Sequence, residues 1–434
     1  MEYFFSDKIR NLKPSAIREI FKYAADPAVV SLSAGNPAPD AFPSKEIARI
    51  CADILTNRPI DALQYSLTEG YPALRAHLKT YMREKYGVGR DFDEVLITTG
   101  AQQVMELAAK VLCNPGDVIL CEDPSFVGSL NCFRSLGARL VGVPMQRDGL
   151  DVDALEQKLK SVENVRALYT IPNFQNPTGA TMSAAKRRAV YDLARKYDIL
   201  IIEDNPYGDL RYRGEDVPGI KTLDEDGRVI YVGSFSKVIS PGLRVGYTVC
   251  PDPVLRKMVV AKQGEDVHTN ILAQMICHAY MTEYDFEAHL DFLRSLYRKK
   301  AALMVELVEQ HLCPAGITYQ DFEGGLFVWG TLPAGVDMPE FCTRAVRDHK
   351  VAVVPGSAFL PEEDGRSQSF RMNFSTPADD ALRAGLQRLQ RNSLAAERQY
   401  KAGGPVHQRT GPPFIFHMLF GPSCKRAGLR RPLA

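Results

Sequence analysis

Between about residues 46 and 285 the sequence alternates short apolar runs with amphipathic stretches of helical period, and this alternation restricts the fold more than any other feature. Val95-Leu-Ile-Thr-Thr, Ala167-Leu-Tyr-Thr-Ile, Asp198-Ile-Leu-Ile-Ile-Glu-Asp204 and Val229 to Gly233 each read as a buried strand. Strands linked by helix-length crossovers form parallel sheets covered on both faces. The expectation is therefore an α/β chain with a mainly parallel central sheet flanked by helices. Ligands of such sheets bind beyond the carboxyl ends of the strands, so the residues that follow each run are the first place to look for chemistry.

Those residues form a coherent set. Ser234-Phe-Ser-Lys237 follows one strand, and Pro241-Gly-Leu-Arg244-Val-Gly246 comes closely after it. Two hydroxyls, an arginine and glycines that let the backbone approach suit a phosphate ester, while the lysine amine suits a carbonyl on the same ligand. Pyridoxal 5'-phosphate carries both groups. Ser-x-Ser-Lys also occurs in solvated loops, so the motif needs support from elsewhere. Asp204, ending its strand before Asn205-Pro206-Tyr207, is placed to pair with a protonated pyridine nitrogen; an N-cap on the next helix is the plainer role for such a residue. Asn176, in Asn176-Pro177-Thr178-Gly179, can donate its amide to a phenolic oxygen, although Asn-Pro is also ordinary turn chemistry. Gly100-Ala101-Gln102 opens a helix expected to reach about Leu112, and a helix N-terminus accepts an anion. Phe126, past Cys121-Glu-Asp-Pro124, offers a ring to a flat heterocycle, or simply packs in the core.

In their order and placement these segments resemble the fold type I pyridoxal-phosphate enzymes of the class I and II aminotransferase family. The resemblance is closest to the branch with 2-aminoadipate, kynurenine and aromatic aminotransferases and the aminotransferase-like half of MocR-type regulators. It covers roughly residues 6 to 392. Ser33-Ala34-Gly35-Asn36-Pro37 resembles the family's substrate loop, Leu63-Gln64-Tyr65 with Glu69-Gly70 its next landmark, Asn11 to Ile20 the branch's mobile leading helix, and Gln368-Ser-Phe-Arg371 the strand with the carboxylate-binding arginine. His268-Thr269-Asn270 is similar to a segment common in the branch, with no chemistry assigned to it.

The resemblance implies a role for each matching position. Lys237 would carry the cofactor and move the proton between the substrate α-carbon and the cofactor's C4'. Asp204 would partner the pyridine nitrogen, and Asn176 and Tyr207 the phenolic oxygen. Ala101, Gln102, Ser234, Ser236 and Arg244 would hold the phosphate, joined by Tyr65 from a neighbouring subunit. Arg371, with Gly35 and Asn176, would bind the α-carboxylate. The branch often has Tyr where this chain has Phe126, which keeps a stacking ring but removes a hydroxyl. The implied activity is ping-pong transfer of an amino group from an aromatic, aliphatic or 2-aminoadipate-like amino acid to a 2-oxo acid, with 2-oxoglutarate as the expected acceptor. A lyase on the same fold and a non-catalytic MocR-like sensor are the alternatives; the latter normally has a DNA-binding segment ahead of this fold.

The remaining sequence fits an enzyme of this kind. The expected organisation is an N-terminal segment over 1–45 packing on the small domain, a large cofactor domain over 46–285, a linking helix and small α+β domain over 286–392, and a tail over 393–434. Asp285 to His311 carries apolar residues at helical spacing, Gly324 to Trp329, Val351 to Pro355 and Phe370 to Phe374 read as strands, and a last helix is expected from Ala378 to about Leu389. Residues 401–434 hold six Lys or Arg and no Asp or Glu. Ten of those 34 positions are Gly or Pro, so this basic end reads as a disordered extension rather than a nucleic-acid-binding arm. The nine cysteines make no C-x-x-C pair and no metal-spaced set, which suggests reduced thiols and no metal. Met1-Glu-Tyr-Phe-Phe-Ser lacks the pattern of a signal peptide, and no apolar run is long enough to span a bilayer. A cytoplasmic homodimer with shared active sites and no membrane or nucleic-acid partner is expected.

Overall fold

The computed structural model describes residues 3–10, 26–363 and 365–401. A short strand, β1 (Val30–Ser31), precedes β2 (Asp93–Thr98), β3 (Val118–Asp123), β4 (Arg139–Gln146), β5 (Gly149–Leu150), β6 (Val165–Thr170), β7 (Leu200–Asp204), β8 (Val229–Ser234) and β9 (Gly246–Pro251). The last eight form one sheet in the order β2-β9-β8-β7-β6-β3-β4-β5. Neighbours from β8 through β4 are parallel, while β9 runs antiparallel to both β8 and β2. Alternate residues serve opposite faces. Ile119 and Cys121 join one apolar layer with Val104 and Leu130, whereas Val118 and Leu120 join another with Leu155 and Val190. Both faces of a strand are thus buried, which explains the near-continuous apolar runs in the sequence.

The register fixes where the strand ends meet. Gly246 at the start of β9 lies opposite both Thr98 and Ser234, the last residues of β2 and β8. The turn after Thr98, the loop after Ser234 and the ends of β7 and β6 therefore share one edge of the sheet. Helices in between are capped locally: Asp151 accepts from the Ala154 N–H at 3.0 Å, Asn270 from Ala273 at 2.9 Å and Asp285 from Ala288 at 2.9 Å.

The helix Phe286–His311 leads to a second, antiparallel sheet. Its strands are β10 (Thr318–Tyr319), β11 (Phe327–Thr331), β13 (Val354–Pro355) and β14 (Ser369–Asn373), in the order β10-β11-β14-β13; β12 (Val351–Ala352) instead pairs in parallel with β1. The chain leaving β1 stays on this sheet, since the Asn373 N–H donates to the Leu32 carbonyl at 2.7 Å. One apolar cluster, including Leu32, Ile97, Tyr207, Phe327 and Leu389, runs under both sheets.

Three boundaries differ from the sequence reading. The expected strand at Gly324 begins only at Phe327, because Gly324 and Gly325 form a close turn against Phe174, with Gly325 at φ +73°. Val351 to Pro355 is split at Val353 into strands belonging to different sheets. The last helix runs over Asp379–Lys401 among the described residues, well past Leu389. The leading helix expected at Asn11 to Ile20 and the basic end after Lys401 lie outside the described residues.

Candidate active site

Lys237 sits in the loop just beyond β8. Its Nζ donates to the Gly35 carbonyl at 2.7 Å and lies 6.0 Å from the centre of the Tyr207 ring. Burial, with the Arg371 and Arg244 charges nearby, pushes the amine down to about 8 from its usual value near 10.5. An amine of that pKa is neutral often enough near pH 7 to act as nucleophile and base.

Asp204, the last residue of β7, is buried. Its Oδ2 accepts from the Tyr169 hydroxyl at 2.8 Å, and its Oδ1 has no partner among the described residues. Desolvation pushes this carboxyl up to about 7, with the Tyr169 hydrogen bond opposing. A buried carboxylate oxygen without a donor is costly, so the site is built for one to arrive. Asn176 and Tyr207 are beside each other, with the Asn176 amide 3.5 Å from the Tyr207 hydroxyl. The Asn176 carbonyl oxygen accepts from Arg371 Nη1 at 2.8 Å.

The anion cup lies at the β2, β8 and β9 ends. The helix Ala101–Leu112 starts at Gly100 without any side-chain cap, leaving its first N–H groups free for an anion. Gly100 adopts φ +77°, and a Cβ there would stand 2.3 Å from Arg244 Nη2. A Cβ at Gly246 would press on the Ala101 nitrogen at 2.6 Å. These two glycines let the arginine and the helix start converge. Among the described residues the Arg244 guanidinium donates only to the Thr99 and Pro241 carbonyls, at 3.2 and 3.4 Å. The Ser234 hydroxyl accepts from the Ser236 N–H at 3.2 Å. Gln102 donates to the Gly128 carbonyl at 3.0 Å, and the Phe126 ring packs over that glycine, so the ring stands next to the cup.

Arg371 comes from β14, opposite Trp329 on β11. It is buried between the rings of Phe327 and Phe359, at 4.2 and 4.9 Å from their centres. Nη2 donates to the Ser33 carbonyl at 2.8 Å, which ties the loop carrying Gly35 to this strand. Nε has no partner among the described residues, and burial pushes the guanidinium down to about 10.

The structure thus brings together all of the residues expected at the site except Tyr65. That side chain is 81 % exposed, with its ring edge-on to His268 at 5.9 Å. Sequence reasoning missed three supporting groups. Tyr169 read only as part of a core strand, although a buried tyrosine hydroxyl needs a partner and so announces one. Glu122, wholly buried and pushed up to about 7, accepts from the Ile171 N–H at 3.2 Å and from Gln175 at 3.0 Å, steadying the loop that carries Asn176. Lys262, also fully buried, binds Gln103, Asp266 and Thr269 behind the cup. No sequence signal marks these last two partnerships, which join distant segments.

These deficits match pyridoxal phosphate group by group. The uncapped helix start and an arginine with no carboxylate among the described residues suit its phosphate, the Asp204 oxygen without a described partner suits a protonated pyridine nitrogen, and the Lys237 amine suits its aldehyde. Among the described residues there is no cluster of metal-ligating side chains, and no helix is long and apolar enough to cross a membrane.

Comparison with known proteins agrees. Residues 27–389 match the family "Aminotransferase class I and II". Aromatic-amino-acid aminotransferase 1 of Thermococcus litoralis is 39% identical over 392 residues, covering 89% of this chain and 93% of its own length. The multiple substrate aminotransferase of Thermococcus profundus superposes with a TM-score of 0.87 at 36% identity, covering 91% of this chain and 98% of that one. The α-aminoadipate aminotransferase of Thermus thermophilus, solved with N-(5'-phosphopyridoxyl)-L-leucine, gives 0.83 at 36% identity, covering 91% and 98%. The chain belongs to the class I and II aminotransferases and is a pyridoxal-phosphate-dependent enzyme of amino-acid transamination.

Proposed function

We propose that this aminotransferase accepts aromatic, aliphatic and 2-aminoadipate-like amino acids, passes the amino group to 2-oxoglutarate in a ping-pong cycle, and works as a cytoplasmic homodimer. The observation that carries the reading is Arg371. It is a buried guanidinium with an unpartnered Nε and no carboxylate paired to it among the described residues, and a substrate α-carboxylate supplies the missing anion.

Bound pyridoxal phosphate supplies a carbonyl for the amino group and a ring that withdraws electrons from the substrate α-carbon. Lys237 is the residue that holds the cofactor covalently and, once released, takes the α-proton and returns it at C4'; its depressed pKa favours both duties. Asp204 keeps the pyridine nitrogen protonated, and Asn176 and Tyr207 donate to the phenolic oxygen. Ser234, Ser236, Arg244 and the N–H groups of Ala101 and Gln102 anchor the phosphate, while Phe126 covers the ring. Arg371 orients the α-carboxylate, with Asn176 and the Gly35 backbone fixing its direction. Tyr65, exposed on its own subunit, is assigned to the partner subunit's phosphate, which makes each site composite. The break between the two sheets supports a large cofactor unit over 46–285 and a smaller one over 286–392.

Broad donor acceptance is supported by relatives named for aromatic, multiple and aminoadipate substrates, one of them holding a leucine adduct. The test has two parts. Borohydride reduction and peptide mapping should find the pyridoxyl group on Lys237; another lysine would overturn the site. A donor panel with 2-oxoglutarate, scored by kcat/KM, should show several classes used, and efficient use of aspartate alone would overturn the substrate assignment.

A further inference from the structure

Asp204 has its two oxygens in opposite situations. Oδ1 is buried and empty, and Oδ2 is held by the Tyr169 hydroxyl at 2.8 Å. Tyr169 in turn accepts from the Ser129 hydroxyl at 2.9 Å. All three side chains are buried, and they come from β7, β6 and the helix Val127–Ser135. The Tyr169 ring is fixed edge-on against Phe133, with centres 5.4 Å apart, so the hydroxyl has little freedom to turn away. Ser129 fills an acceptor position of the phenol and leaves its single proton for Asp204, which makes the chain directional: serine to tyrosine to carboxylate.

We infer that Tyr169, polarised by Ser129, is a positioning residue that holds Asp204 ionised through Oδ2 so that Oδ1 can keep a proton on the cofactor's pyridine nitrogen. This rests on the assignment of Asp204 to that nitrogen. The physical basis is a competition for one proton between the pyridine nitrogen and Oδ1. A buried carboxylate with no other donor favours the neutral acid and takes the proton; a hydrogen bond to the ionised form returns it to the ring. The other titratable groups around Asp204 work against ionisation or are neutral. Glu122 lies close enough to feel its charge and accepts from Thr170 at 2.5 Å and from Gln175; Tyr207 is a buried phenol that also feels this carboxylate, and Tyr231, paired with Glu203 on the other face of the sheet, feels it more weakly. No cation pairs with Asp204 among the described residues, so Tyr169 is its one stabilising contact.

The test is the nitrogen-15 chemical shift of pyridoxal phosphate labelled at the ring nitrogen, measured in the holoenzyme, where protonated and neutral pyridine are well separated. The parent should show the protonated form. Tyr169→Phe keeps the ring packed on Phe133 and removes only the donor; it should move the proton equilibrium toward neutral nitrogen by roughly 10- to 100-fold, the range for losing a hydrogen bond to a charged group. Ser129→Ala, a smaller change that avoids any folding problem in the first variant, should move it the same way by a lesser amount. Asp204→Ala separates the two assignments. If it leaves the shift at the parent value, Asp204 is not the nitrogen's partner and both readings fall. If it abolishes protonation while Tyr169→Phe and Ser129→Ala match the parent, Asp204 stands and the role of Tyr169 is overturned.

Discussion

Strand β8 has a lysine near each end, Lys221 fully buried and Lys237 partly so, and the two are surrounded in opposite ways. At its start, Lys221 is fully buried and donates to Asp93 at 2.7 Å, Asp224 at 2.8 Å and the Val229 carbonyl at 2.8 Å. Each of its three protons has an acceptor. Beyond its other end, Lys237 has a single acceptor among the described residues, the Gly35 carbonyl, and arginines for charged neighbours. One edge of the sheet is finished; the other is left open. The same contrast holds for Arg371 Nε and Asp204 Oδ1, the two atoms of buried Lys, Arg, Asp or Glu side chains that lack any partner among the described residues. Both lie at the Lys237 edge. Reactivity in this fold is therefore marked by incomplete pairing rather than by burial alone.

The largest expected effect breaks the contrast at its reactive end. Lys237→Ala should lower turnover by about 10^4-fold or more, since the same amine both holds the cofactor and moves the proton. It should not lower the urea midpoint of the apoprotein, because no ion pair is lost. Retained turnover would remove Lys237 from the chemistry.

Lys221→Met probes the finished edge and should do the reverse. Asp93 and Asp224 would be left buried without their cation, at a cost of about 3–5 kcal/mol, read as a shift of the urea transition. Cofactor absorbance in the folded fraction should be unchanged. A loss below about 1 kcal/mol would mean that the pair is no better than a surface salt bridge and that the two lysines differ less than their contacts suggest.

This contrast also explains how much could be read in advance. Lys237, Asp204 and Asn176 were legible because each follows an apolar run that must be a buried strand, and strand ends gather at one edge whatever the rest of the chain does. Lys221 was not, because nothing local links it to Asp93, 128 positions away in sequence. Tyr169 and Glu122 were hidden for a related reason: in a strand buried on both faces, a polar side chain looks like a break in the pattern until its partner strand is known. The split at Val353 and the late start of β11 follow from turn geometry at Gly325 and from the pairing of β12 with β1, neither of which leaves a periodic signal. The resemblance supplied what geometry could not, including the part assigned to Tyr65.

Arg371→Ala sharpens the comparison at the substrate end. Loss of a buried charge-assisted contact to the α-carboxylate should lower kcat/KM by roughly 100-fold for every donor and acceptor alike. The apoprotein should stay folded but lose about 1–3 kcal/mol, since the buried Asn176 and Ser33 oxygens lose their donor. An effect confined to one class of donor would show that Arg371 reads side chains instead.

The smallest expected effect lies in the shape of a pH profile. Competitive acylation of the apoprotein, followed by mass spectrometry of the Lys237 peptide, should rise tenfold per pH unit below about 8 and change less than about twofold between pH 9 and 10.5, because the amine titrates at about 8. An ordinary exposed lysine keeps rising toward its usual value near 10.5. Stability must follow with a definite sign. Between about 8 and 10.5 the unfolded chain binds the proton that folded Lys237 has already released, so the parent should gain stability relative to Lys237→Ala as pH increases across that window. If acylation continues to climb past pH 9 at the slope of a surface lysine, the open edge is not as water-poor as its contacts imply, and the depressed amine ceases to be a reason for its reactivity.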